Sequence, residues 1–137
     1  MRRIVVLALA ALMLLALAAC GGGNVDNVTV PDWKPSEIYP DADVEAAIRT
    51  VKEYFKAEFD GCTLTKVSYP GDTYADEFHE WAEQYGADEA IVLFSSFDVG
   101  SSGGDGSLTP NTTYTEWKWV LVRDAGGDWH HATHGYG

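Results

Sequence analysis

Trp117-Lys118-Trp119-Val120-Leu121-Val122-Arg123, followed by Asp124-Ala125-Gly126-Gly127 and then Asp128-Trp129, is the stretch whose reading decides the fold. Side chains of an extended chain alternate between two faces. Trp117, Trp119 and Leu121 therefore fall on one face, with Lys118, Val120 and Val122 on the other. The Gly pair supplies the positive φ that a tight hairpin needs. The pattern predicts a strand over 114–123, a turn, and a last strand from 128 to about 136.

Working outward, Glu89 to Val99 is almost continuously apolar at 90–94 and reads as another strand. Residues 100–113 join it to the next strand. That loop is rich in Gly, Ser and Asp, its one large apolar residue is Leu108, and it is long for a hairpin. Upstream, Tyr74, Phe78, Trp81, Ala82 and Tyr85 share one helical face over 73–85, and Gly86 ends the run. Residues 62–69 are β-branched and aromatic enough for a strand. Val44, Ala47, Ile48, Val51, Phe55 and Phe59 recur at helical spacing and predict an amphipathic helix over 43–59, with Asp43 as its cap. The order is α-β-α-β-β-β, an α+β class. An antiparallel sheet with both helices on one face is the economical arrangement.

The chain opens differently. Arg2 and Arg3 precede an uncharged apolar run over 4–16, and Leu17-Ala18-Ala19-Cys20 closes it. A membrane span needs about 20 apolar residues. This run is shorter and basic only on its N-terminal side, which is signal-peptide anatomy. Its last four residues resemble the lipobox of bacterial lipoproteins. The resemblance implies cleavage before Cys20, diacylglycerol on the Cys20 thiol, and an extracytoplasmic domain held to the cell membrane, or to an outer membrane if the cell has two. The resulting division is a signal peptide over 1–19, a lipidated flexible tether over 20–40 with Gly21-Gly22-Gly23 and three prolines, and one domain over 41–137. Val28, Val30 and Trp33 are apolar, which allows part of the tether to dock on the domain.

Net charge is −12, and loss of Arg2 and Arg3 makes the mature chain more acidic still. Nucleic-acid binding rests on Lys and Arg meeting phosphates, so it is excluded as the function class. Anionic headgroups are repelled as well, which leaves the lipid as the hold on the membrane. With Cys20 lipidated, Cys62 has no partner for a disulfide and reads as a small buried hydrophobe.

The final hairpin, a strand ending in Arg123 that turns through Gly126-Gly127 into Trp129, resembles the closing strands of the nuclear-transport-factor-2-like superfamily, with its cystatin-like cone. The resemblance covers residues 41–137. It implies a curved sheet wrapped around a helix and open at one end as a pocket. Some members of that superfamily are isomerases, dehydratases or cyclases, and many only bind or dimerise. No catalytic motif of theirs is matched here residue by residue, and two helices stand where the enzymes commonly have three.

His131 shares a strand face with Trp129 and Thr133 by simple alternation, so an inward Trp129 brings an inward His131, the one candidate for a pocket base. A core histidine bonded to a backbone carbonyl is its alternative. Trp81, Trp117, Trp119 and His131 are the candidate ligand contacts, and ordinary core packing is the alternative for the tryptophans. His130, His131 and His134 do not make a metal site on a regular strand. Neighbours point to opposite faces, and residues 130 and 134 stand about 13 Å apart. No metal or other cofactor is implied. These readings point to a lipid-anchored domain that binds an unknown small molecule or an envelope protein. Two alternatives stay open: an isomerase or dehydratase using His131, and an accessory subunit of an envelope complex. A homodimer stays open too.

Overall fold

A computed structural model describes residues 22–136, so the signal peptide and Cys20 lie outside the described residues. The elements run α1 (Asp41–Glu58), β1 (Cys62–Ser68), a 3-10 turn (Asp72–Tyr74), α2 (Ala75–Gln84), β2 (Glu89–Val99), β3 (Thr113–Arg123) and β4 (His130–Gly135). The four strands form one curved antiparallel sheet in the order β1-β2-β3-β4, not closed into a barrel. The α+β reading therefore stands. Among the described residues no helix is long and apolar enough to cross a membrane.

α1 buries Val44, Ala47, Ile48, Val51 and Phe55, the stripe that helical spacing marks out. It begins two residues earlier than its sequence suggests, with Pro40 at the cap position. Asp43 is thereby freed from capping, and its carboxylate accepts from Arg123 at 2.8 Å. Arg123 also reaches Glu89 at 3.2 Å and lies over the Trp129 ring at 4.2 Å. The indole N–H of Trp129 donates to the Asp43 carbonyl at 3.0 Å. Together these contacts fasten the start of α1 to the β3–β4 hairpin.

The two helices do not share a face of the sheet, contrary to the arrangement expected from element order. On β2 and β3, Leu93 pairs with Trp119 and Ser95 with Trp117, and between them Phe94 pairs with Lys118. Trp119 meets Tyr54 of α1, and Trp117 meets Phe59 at its C-cap. Phe94 meets Tyr74 of the 3-10 turn, and Lys118 pairs with Glu77 of α2. Residues of opposite alternation thus serve the two helices. Val92 and Val120, which belong to the Phe94 set, are wholly buried. A sheet apolar on both sides needs a cover on both.

The segment before α1 is docked. Asn24 bridges Thr63 and Thr29 bridges Lys66, both in parallel sense. The Leu64 N–H donates to Asn24 at 2.9 Å and the Val67 N–H to Thr29 at 3.0 Å. An uncovered edge strand is a template for unwanted pairing, and this segment covers β1. A Cβ on Gly23 would lie 2.6 Å from the Phe55 ring and carbonyl, so only glycine fits there. Glycines read as a source of flexibility in the tether instead permit close approach to α1.

Candidate functional site

Three elements converge at the C-terminal end of α1: the helix itself, the β3–β4 pair, and the 100–112 loop. The loop is tied down. The Gly100 N–H donates to the Gly61 carbonyl at 3.0 Å, and the Asn111 N–H returns to Gly100 at 3.1 Å. Leu108 packs on the core from it. Between loop and helix lies a cavity of about 250 Å³. Tyr54, Phe59, Trp117 and His134 are among its walls, and Glu58, Asp60 and Asp105 bring carboxylates to it. Among the described residues no Lys or Arg lines it. Its volume is near the lower end for small-molecule sites, which begin at about 300 Å³.

The lining chemistry is uneven. The hydroxyl and backbone N–H of Ser107 both donate to Asp105, at 2.5 and 2.9 Å, which holds the Asp105 carboxyl below the usual carboxylate range. Cys62 also lines the cavity and is only 2% exposed. Burial pushes its thiol up from the ordinary value, with Asp105 and Asp60 adding to the effect. It is therefore a protonated thiol at neutral pH, not a nucleophile.

Beside the cavity sits a histidine pair. His131 Nε2 and His134 Nδ1 are 2.9 Å apart, and the His131 ring stacks on Tyr54 at 3.8 Å with planes 13° apart. Simple alternation cannot bring residues 131 and 134 to one face. A bulge does so: Val120 pairs with Thr133 but Leu121 with His131, leaving Ala132 as the extra residue of β4. His134 then faces Trp119. So Thr133 does not share the face of His131, as alternation would have it; His134 does. Burial, then the neighbouring His134, pushes His131 down to about 4. Burial also lowers His134. Both rings are neutral near pH 7, and one donates while the other accepts.

The other expected contact residues separate. Trp117 lines the cavity, and its buried indole N–H has no hydrogen-bond partner among the described residues. Trp119 is wholly buried beneath it, and its indole N–H donates to Ser95 Oγ at 2.7 Å. Trp81 belongs to α2 and lies across the sheet, beside Lys118, Val120 and Thr133 in a hollow of about 160 Å³. His131 is not among the residues that line the α1–loop cavity, whereas His134 is. Cys20 lies outside the described residues. Of the walls, Trp117 alone was an expected contact; Tyr54, Phe59, His134 and the carboxylates of Glu58, Asp60 and Asp105 were missed. Tyr54 stands three residues after Val51, so helical spacing could have found it. His134 carried no signal, because the bulge is a property of strand pairing.

Among the described residues no group of three or more His, Cys, Asp or Glu is placed to hold a metal ion. A second hollow, about 490 Å³, runs along the N-terminal half of α1 beside the hairpin. Its walls are mainly polar, including Arg49, Glu53 and Asp128, and Trp129 is its one aromatic residue. The smaller cavity has the aromatic walls and convergent polar groups of a ligand site. Compared with protein-family models, with curated proteins and with solved structures, the chain matches none.

Proposed function

We propose that this chain is an extracytoplasmic lipoprotein, anchored through Cys20, whose single domain binds a small ligand without transforming it. The observation that carries the reading is the cavity walled by Tyr54, Phe59, Trp117 and His134 and edged by three carboxylates. Aromatic faces attract cations, and the exposed carboxylates of Glu58, Asp60 and Asp105 at the rim add a Coulombic attraction. With His134 neutral and no Lys or Arg among the described residues of the lining, those walls favour a small cationic or neutral molecule and repel an anion. Supporting the nuclear-transport-factor-2-like reading are the curved sheet and the amphipathic α1 laid against it.

The anchor is checked by intact mass of the protein from its native membrane: an acylated Cys20 is expected, and Cys20→Ala abolishes it. The ligand class is checked by Trp fluorescence, titrating hexyltrimethylammonium against hexanoate. The ammonium is expected to bind, Glu58→Gln and Asp60→Asn to weaken it, and hexanoate to leave the signal unchanged. Equal response to both compounds overturns the cationic preference. The alternative is an isomerase or dehydratase, and the specific observation in its favour is the histidine pair beside the cavity. Turnover of any ligand that is lost in His131→Ala would establish that reading instead.

A further inference from the structure

We infer that the anchored domain is held by one end, with the C-terminal end of α1 and the cavity mouth kept next to the bilayer and the hairpin on average farther from it. This rests on the lipid anchor at Cys20 proposed above. The docked segment supplies the rest. The Gly23 N–H donates to the Lys56 carbonyl at 2.9 Å, and the Asn24 N–H to the Cys62 carbonyl at 2.9 Å. Both acceptors stand where α1 ends and β1 begins. From Gly23 back to Cys20 there are three peptide steps, which span at most about 11 Å at 3.8 Å each. The lipid is therefore leashed to this end of the domain, not released by a long linker.

The cavity opens at the same end. Glu58 closes α1, Asp60 precedes β1, and Gly104 and Asp105 belong to the loop after β2. The β3–β4 hairpin sits at the opposite end, fastened to the start of α1 through Asp43. α1 has 18 residues, so the two ends are separated by about 27 Å at 1.5 Å per residue. A leash of about 11 Å keeps the C-terminal end of α1 beside the headgroups, and the hairpin reaches them only when the domain tips onto its side. The carboxylates at the mouth oppose close contact with anionic lipid, but their field fades over about 8 Å at physiological salt. The covalent link sets which end stays next to the bilayer, and charge keeps that end from pressing in. Ligand then enters from the layer of solution at the membrane surface.

The test uses the full lipidated chain reconstituted in phosphatidylcholine vesicles that carry a nitroxide on a fraction of headgroups. Ser101→Cys, in the loop, and Ala125→Cys, in the hairpin, are each labelled with a fluorophore; both positions are exposed. Cys62 is 2% exposed, so the label goes to the introduced thiol. The label at 101 is expected to be quenched several-fold more strongly than that at 125. Insertion of a ten-residue Gly-Ser spacer after Gly21 should reduce the difference, since it lengthens the leash without touching the fold. Equal quenching of the two labels, or stronger quenching at 125, in a chain that floats with the vesicles overturns the orientation alone. A chain that fails to float with the vesicles overturns the anchor and the orientation with it.

Discussion

His131 Nε2 lies 2.9 Å from His134 Nδ1, and the pair is held under Tyr54 against Trp119. A hydrogen bond between two imidazoles requires one ring nitrogen to donate and the other to accept. Protonating both rings would aim two N–H groups at each other. The pair is therefore stable only while at least one ring is neutral.

The consequence is a specific pH dependence. In the unfolded chain a histidine takes up a proton near 6.5. In the folded chain His131 does so only near 4. Between those values the unfolded state binds more protons, so stability falls as pH drops through that window and is unaffected by this group above it. Urea midpoints measured from pH 7.5 to 4.5 should decline for the native chain. The decline should be shallower in His131→Phe, which keeps the stack on Tyr54 but cannot titrate. Parallel curves for the two proteins would show that His131 titrates normally.

The paired tryptophans of β3 should respond unequally to loss of their indole N–H. Trp119 donates to Ser95 inside the core, while the Trp117 N–H has no partner. Trp119→Phe removes a buried hydrogen bond and orphans the Ser95 hydroxyl. Trp117→Phe removes a donor whose burial is uncompensated. The first is expected to cost more than the second by about 1–2 kcal/mol. Chemical denaturation of the two variants measures it, and a larger loss for Trp117→Phe would sink the assignment.

Trp129→Ala should be among the more damaging single changes, at about 3–5 kcal/mol. Trp129 is 5% exposed, packs edge-on against Tyr39, and carries the Arg123 guanidinium over its ring. Its loss opens a cavity and releases the Asp43 carbonyl at the start of α1. Thermal or urea unfolding checks this, with an unchanged midpoint as the contrary result.

Most of the elements were legible in the residues. The 3.6-residue stripe of Val44, Ala47, Ile48, Val51 and Phe55 and the alternation of Trp117, Trp119 and Leu121 each name an element and its buried face, because both depend only on local geometry. The α+β class and the hairpin at Gly126 follow from the same local rules. The bulge at Ala132 does not. It depends on which β4 residue meets which on β3, and it alone brings His134 beside His131 and onto the wall of the cavity. Placement of α2 across the sheet from α1 was likewise a tertiary decision, since an apolar β2 reads the same whichever face a helix covers. Residues 22–40 make the sharpest contrast. Their Gly and Pro content reads as a loose tether, and the apolar Val28, Val30 and Trp33 mark only that part of it docks, yet backbone groups of Gly23, Asn24 and Thr29 also find partners on α1 and β1. Composition describes what a segment does alone in water. Only the folded domain offers the unpaired edge of β1 that draws it in.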